Sequence, residues 1–398
     1  MKILHVIPSI ASLRGGPSQE VISMVKALIN QGIDVEIATT NDNGDDLLDV
    51  PLGQLIKYEE VPVWFFPRFL PPMKEFIVSI SLTHWLWKNM SNYDLIHTHY
   101  LFSYVPTCAG IIARWQKKPY IVETLDHLSP WSLTQSRLKK QIYLNLIEKN
   151  NLNCANAIHC TSHQEAENVK NYGIIAPTIT VPIAIDKLPY FPEAKKILRE
   201  QYFIEEQTPI ILFMSRIHPK KRPDLLIQSL HKIAKQDQKF HLILAGSGEK
   251  KYLNYLQNLA VSLSLNHCVS FTGFVTGDDK NLLLQGSDLF ALSSFSENFG
   301  IVVAEAMSAG LPVIVTNGVQ ISSEIATTNS GIVTEGEVND LSNALLSLLT
   351  SPELRQEMGK NGQELVTKRY SWQVIAQKLI SVYDCIIQQK KNPEKLLN

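Results

Sequence analysis

Residues 2–39 read KILHVIPSIASLRGGPSQEVISMVKALINQGIDVEIAT. Lys2–Pro8 is an apolar run of the length of one buried strand. Ser9–Pro17 is a loop holding Arg14, Gly15 and Gly16. Between Gln19 and Gln31 the residues Val21, Val25, Leu28 and Ile29 recur at helical spacing, and Gly32 closes the helix. Asp34–Thr39 returns as a second strand. Short connections on either side of one helix make this a parallel strand–helix–strand unit, the building block of an α/β fold. His5 and Pro8 interrupt the first run, which therefore reads as a strand rather than a secretion signal and sets the expectation of a cytoplasmic protein.

Working outward, the same alternation continues. Strands are expected at Leu95–Thr98, Tyr120–Thr124, Ala157–Cys160 and Thr178–Val181. Helices are expected at Val105–Trp115, Arg137–Asn151 and Ser162–Lys170, the last capped by Ser162 with Glu165 three residues on. Pro182–Pro192 breaks the pattern, and it restarts with strands at Pro209–Ser215, Phe240–Ala245, Val269–Phe271, Leu289–Leu292 and Pro312–Thr316. Two doubly wound domains result, 1–185 and 186–371. The long helical pattern of Trp372–Gln389 opens a terminal segment, 372–398, longer than a terminal cap needs. Ligands in such sheets sit at the carboxyl ends of the strands.

Composition narrows the function. Lys and Arg total 37 against 38 Asp and Glu, a balance that gives no footprint for nucleic acid. Five scattered cysteines form no paired ligand framework and read as free thiols of a reducing compartment. No apolar run reaches the length of a membrane span.

Three stretches at expected strand ends carry chemistry. The first is Ser296-Glu297-Asn298-Phe299-Gly300-Ile301 running on to Glu305. Amides at the start of a helix cradle an anion, and a carboxylate one turn inside accepts hydrogen bonds from a diol. The second, Arg216 to Arg222, packs four basic residues into seven positions and needs either solvent or an anion. The third is Arg14-Gly15-Gly16-Pro17, where glycine lets backbone approach a ligand, although the spacing is not a dinucleotide fingerprint. Asp45-Asp46 and Asp278-Asp279 are adjacent pairs that solvation explains, so no metal site is expected.

Together these stretches resemble the large retaining glycosyltransferase family 4, with its GT-B fold of two Rossmann-like domains facing across a cleft and a C-terminal helix crossing back to the first domain. Glu297 and Glu305, seven residues between them, resemble its paired-glutamate motif, and Arg216 and Lys221 its basic pair. Gly15 and Gly16 match its glycine loop, and His97-Thr98-His99 a common first-domain strand end. The resemblance implies a nucleoside-diphosphate sugar as donor, with UDP favoured over GDP and no metal or other cofactor. It implies that Arg216 and Lys221 receive the leaving diphosphate, Glu297 orients the sugar and Glu305 holds the ribose. Gly246, Gly248, Gly273, Phe274, Asn298, Phe299, Gly300 and Ile301, with Gly15 and Gly16, are placed around the donor. Arg14, His99 and Trp131 are placed on the acceptor side, Trp131 within a Pro130-Trp131 pair shared with a subset of relatives. Many relatives carry a His-Gly step after the strand that ends at Thr124, with its histidine near the reacting carbon; here the loop reads Leu125-Asp126-His127. His127 is the preferred substitute, with Asp126 the alternative.

The resemblance makes a glycan or lipid-linked acceptor and a role in polysaccharide biosynthesis the expectation. Small-molecule acceptors and a nucleotide-sugar epimerase of the same architecture remain alternatives. The aromatic, Pro-rich segment 61–74, ending in Lys74, is a candidate for peripheral contact with a membrane or a lipid-linked acceptor, against a loop packed on its own domain. The sequence does not fix the oligomeric state.

Overall fold

The computed structural model describes residues 1–69, 76–134 and 137–390. Two compact units divide the chain: Met1–Ala184 together with the chain from Trp372 onward, and Ile185–Ser371.

The first unit holds an eight-stranded sheet. Its strands are β1 (Lys2–Val6), β2 (Asp34–Thr40), β3 (Leu55–Tyr58), β4 (Val61–Phe66), β5 (Leu95–His99), β6 (Tyr120–Glu123), β7 (Ala157–Cys160) and β8 (Thr178–Thr180). They lie in the order β8-β7-β6-β5-β1-β2-β4-β3, parallel except for the antiparallel pair β3–β4 at one edge. Alternation on β1 sets the layers. Ile3 and Ile7 pack with Val21, Val25 and Leu28 of helix Gly16–Asn30 and with Ile375, Leu379 and Tyr383 of helix Trp372–Ile387. Leu4 and Val6 pack on the opposite face with Leu82, Leu86, Val105 and Ile112. Each aliphatic side chain buried from the terminal helix contributes about 1.5–3 kcal/mol, so the last described helix belongs to this unit's core.

One expectation is corrected here. Residues 61–66 of the aromatic segment are neither a membrane-dipping loop nor a loop at all, but strand β4. Val61, Val63 and Phe65 are wholly buried, and the Trp64 indole donates to Glu36 at 2.7 Å. Trp64 and Phe66 pack on Trp85, with ring centroids 5.0 and 5.4 Å apart. The aromatics are the domain's own wall. Pro62 is accommodated next to the edge strand, opposite Lys57. Residues 70–74 of that segment lie outside the described residues.

The second unit holds six parallel strands: β9 (Ile210–Met214), β10 (His241–Ala245), β11 (Val269–Gly273), β12 (Leu289–Leu292), β13 (Val313–Thr316) and β14 (Gly331–Thr334). Their order is β11-β10-β9-β12-β13-β14. The chain winds outward from β9 on one side and onward from β12 on the other, so the switch point, where open α/β sheets bind ligands, lies between β9 and β12. Within this unit the assignment from sequence ends at Thr316 and lacks β14 and helices Ala194–Tyr202, Ser322–Thr327, Val338–Thr350 and Pro352–Arg369. In Ala194–Tyr202 the residues Ala194, Ile197, Leu198 and Tyr202 recur at helical spacing, so this helix was legible in the sequence although only Ala194 and Leu198 are buried.

Candidate functional site

In the second unit the loops after β9 and β10 continue the ladder beyond the strands. Ser215 donates to Ala245 at 3.0 Å, Ile217 to Ser247 at 2.8 Å, and Gly246 to Gly273 at 2.8 Å. A Cβ on Gly246, at φ +144°, would sit 1.8 Å from the Ser215 carbonyl oxygen, and one on Gly248 would sit 2.2 Å from that of Ile217. These two glycines are therefore demanded by the approach of one loop to the other. Gly273 has φ +77° and open space around it, and the Phe274 ring beside it is 75% exposed.

The basic loop is bolted to the segment after β12. The Ser293 hydroxyl donates to the Arg222 carbonyl at 2.6 Å, the Ser294 hydroxyl to that of Lys220 at 3.2 Å, and the Phe295 amide to Lys220 at 2.9 Å. This lacing brings Lys221 against Glu297, with which it forms a short ion pair between side chains only 12% and 13% exposed. Burial is the leading cause acting on Lys221 and lowers its pKa despite the pull of Glu297. Arg216 is exposed and has no ion pair among the described residues. The Arg222 guanidinium lies over the Phe295 ring at 4.3 Å.

Gly300, at φ +85°, opens helix Ile301–Ser308 without a capping side chain, leaving its leading amides for another acceptor. The Phe299 ring is buried edge-on to Tyr370 at 5.1 Å, so only its backbone is offered to a ligand. Asn298 is half-buried beside it and Ile301 is 37% exposed. Glu305, one turn in, pairs with Lys280 at 2.6 Å, and its other oxygen, Oε2, is buried without a hydrogen-bond partner. Lys280 escaped the sequence reading because Asp278-Asp279-Lys280 looks like a solvated charge run; only folding carries it to Glu305.

In the first unit, Gly15 has φ +85° and Gly16 begins the first helix, both with open space at the Cβ position. Arg14 donates to both oxygens of Asp42, at 2.7 and 3.0 Å, and the same buried carboxylate receives Arg68. A 340 Å³ pocket is lined by Arg14, Tyr100, Phe102, His127 and Lys140, among others. The loop that presents His127 is strained, with Leu125 at φ +48° and Asp126 at φ +59°, and Glu165 pins it by accepting from the Thr124 hydroxyl and the Asp126 amide, each at 2.5 Å. Of the two alternatives, His127 lines the pocket and Asp126 does not. The side chain of Trp131 lies outside the described residues.

His99 is corrected: it is wholly buried, donor and acceptor positions spent on Glu123 at 2.5 Å and His5 at 2.9 Å, and it does not line that pocket. It belongs to a sealed cluster. His97 bonds to the Tyr383 hydroxyl at 2.8 Å, and His159 to the Val181 carbonyl at 2.9 Å. Burial holds His99 down to about 3 and pushes Glu123 up to about 7. His5, His97 and His99, and separately His97, Glu123 and His159, have atoms close enough to share a metal ion, but most of those atoms already bond to one another or to Tyr383. Sequence reading missed these contacts because they join four strands and the terminal helix.

Comparison with known proteins agrees with this anatomy. Residues 14–187 match the model of Glycosyltransferase Family 4, and residues 194–365 that of Glycosyl transferases group 1. The fold is shared with solved structures. HepE of Anabaena, crystallised with UDP, superposes with a TM-score of 0.75 at 22% identity, covering 96% of this chain and all of that one. WaaG, a glycosyltransferase involved in lipopolysaccharide biosynthesis, gives 0.62 at 16% identity, covering 96% and 99%. The chain belongs to the family 4 glycosyltransferases, with the two-domain GT-B architecture.

Among curated relatives, a GDP-mannose-dependent monoacylated phosphatidylinositol monomannoside mannosyltransferase of Corynebacterium glutamicum is 32% identical, over 49% of this chain and 52% of its own length. The matched stretch spans about half the length of this relative and of the next, an uncharacterised glycosyltransferase of Methanocaldococcus jannaschii, where coverage is 48%. D-inositol 3-phosphate glycosyltransferase 2 of Catenulispora acidiphila is 26% identical over 94% of this chain and 91% of its own.

Proposed function

We propose that the protein moves a hexosyl unit from a nucleoside-diphosphate sugar to a hydroxyl of a glycan, lipid-linked or small-molecule acceptor, with retention of configuration. The observation that carries this reading is the pairing of both motif glutamates with lysines, Glu297 with Lys221 and Glu305 with Lys280, at strand ends that also hold Arg216 and the uncapped helix at Gly300. Breaking a glycosyl–phosphate bond gathers negative charge on the diphosphate. Fixed cations and amides aimed there gain strength in the transition state, without calling on a metal. In this reading Arg216 and Lys221 receive the diphosphate, Glu297 orients the sugar and Glu305 the ribose. The backbone at Asn298, Phe299, Gly300 and Ile301, with Gly273 and Phe274, surrounds the donor. The leaving phosphate takes the acceptor's proton during same-face attack.

The pocket of Arg14 and His127 supports an acceptor side in the first unit. Its aromatic walls, Tyr100 and Phe102, suit a sugar ring, and Lys140 and Arg14 suit an acceptor that carries negative charge. HepE was crystallised with UDP-glucose and the Corynebacterium relative is GDP-mannose-dependent, so UDP-sugars are the first donors to test and GDP-sugars the second. A role in polysaccharide biosynthesis and a cytoplasmic location belong to the same proposal; the cysteines are free, and among the described residues no helix is long and apolar enough to cross a membrane. With β4 in the sheet, the exposed large apolar side chain among the described residues of segment 61–74 is that of Phe69, 53% exposed.

The test is a panel of sugar nucleotides with and without acceptors, scored for nucleoside diphosphate release and for the product's anomeric configuration by NMR. Acceptor-dependent release with a retained linkage, unaffected by a chelator, is expected. A product formed from donor alone would favour epimerisation, and an inverted linkage would refute same-face attack.

A further inference from the structure

A carboxylate beside a diphosphate is an electrostatic liability, since like charges a few ångströms apart repel unless a cation intervenes. The second unit answers this twice. Glu297 is matched by Lys221, which the basic loop supplies. Glu305 is matched by Lys280, which comes from a different element, the first turn of helix Gly277–Gly286 after β11. The Lys280 ammonium meets Oε1 of Glu305 at 2.6 Å, with the two side chains 30% and 17% exposed. Oε2 of the same carboxylate is buried and accepts nothing from the protein. An ionised carboxylate is an acceptor only, and a buried oxygen left unsatisfied costs about 1–3 kcal/mol.

Resting on the donor reading above, we infer that Lys280 is a positioning residue for the donor's ribose. It cancels the charge of Glu305 near the diphosphate and fixes the carboxylate through Oε1. Oε2 is then left to accept from a hydroxyl of the ribose diol. One carboxylate oxygen is spent on the protein and the other is reserved for the ligand. Specificity for a ribonucleotide over a deoxyribonucleotide thus depends on a lysine that need not touch the base, the sugar or the phosphates.

The experiment is a cycle between protein and ligand, read by calorimetry with UDP and 2′-deoxy-UDP, and with GDP and 2′-deoxy-GDP. Wild type, K280M, K280R and E305Q are compared after thermal melts without nucleotide confirm that each is folded. Wild type is expected to prefer the ribonucleotide about tenfold, the value of one good hydrogen bond to a charged group. K280M is expected to weaken both ligands through the uncancelled Glu305 charge and the ribonucleotide further still, so that most of the preference is lost. K280R is expected to restore at least part of it, and E305Q to lose it although Lys280 is in place. An equal loss for both ligands in K280M would overturn the inference, placing Lys280 on phosphate or base, and so would undiminished discrimination. E305Q that retains wild-type binding of both ligands would overturn the ribose role of Glu305 and the inference with it. Failure of the wild type to bind any of the four would refute the donor reading itself.

Discussion

Breaking the Lys221–Glu297 pair separates its structural role from its chemical one. Each side chain is about seven-eighths shielded from solvent, at 12% and 13% exposure. Removing one partner of a fully buried pair costs about 3–5 kcal/mol because the other charge is stranded; for this pair at the rim of a site we expect about 1–3 kcal/mol. For a unit of this size that is a fall in melting temperature of about 3–9 °C in K221M or E297Q. Burial already lowers the Lys221 pKa despite the pull of Glu297. Removing both charges in K221M/E297Q strands neither, and the double variant is expected to melt above both single variants. Turnover is expected to behave differently. If Lys221 meets the departing diphosphate, its loss removes an interaction of about 2.7–4 kcal/mol in the transition state, a fall in kcat of about 10²–10³. The second substitution does not return it. The assays are thermal melts by circular dichroism and acceptor-dependent release of nucleoside diphosphate. Recovery of turnover together with stability in the double variant would show that the pair is structural. Turnover in K221M within threefold of wild type would refute the assigned role outright.

Three further outcomes follow from the geometry. Gly246→Ala is expected to lose about 3 kcal/mol or more, seen as a much lower melting temperature or an insoluble chain, because its Cβ would lie 1.8 Å from the Ser215 carbonyl oxygen at φ +144°; a melting temperature within 2 °C of wild type would contradict this. Leu379→Ala empties a wholly buried position of the terminal helix and should cost about 2–5 kcal/mol in the first unit while nucleotide protection of the second unit persists, checked by hydrogen exchange with and without nucleotide. In acid, His5, His97 and His99, whose pKa values burial lowers, support the folded chain fully above their usual 6.5 and withdraw that support as pH falls toward the folded value, about 3 for His99. Three carboxylates whose pKa values burial raises, Glu20, Glu123 and Glu148, the last two to about 7, take up protons on the same descent and offset the loss until the unfolded value of about 4.5 is passed. Melting temperatures should therefore fall steeply only below about pH 4.5, and a steady fall beginning at pH 6.5, or none down to pH 3.5, would contradict this balance.

Local patterns wrote much of this protein. The period of 2–39 and its repetition determined an α/β chain of two doubly wound halves, because strand and helix periodicities are properties of adjacent residues. The glutamates seven apart and the basic run after β9 were legible for the same reason, each being a short motif at a strand end. The terminal helix was legible as a helix from Val374 to Ile386, but only packing shows it against Ile3 of β1 and Ile7 just beyond it. Tertiary structure alone decided the rest. Val61–Phe66 looked like a segment for an interface until the sheet gave it neighbours on both sides, because strand exposure depends on what pairs with it. His99 looked available until β1 and β6 closed over it with His5 and Glu123. Lys280 and Glu305 stand 25 residues apart, and Lys221 and Glu297 stand 76 apart. A charge on the chain says nothing of which opposite charge the fold will bring within 3 Å, and on that pairing the proposed chemistry rests.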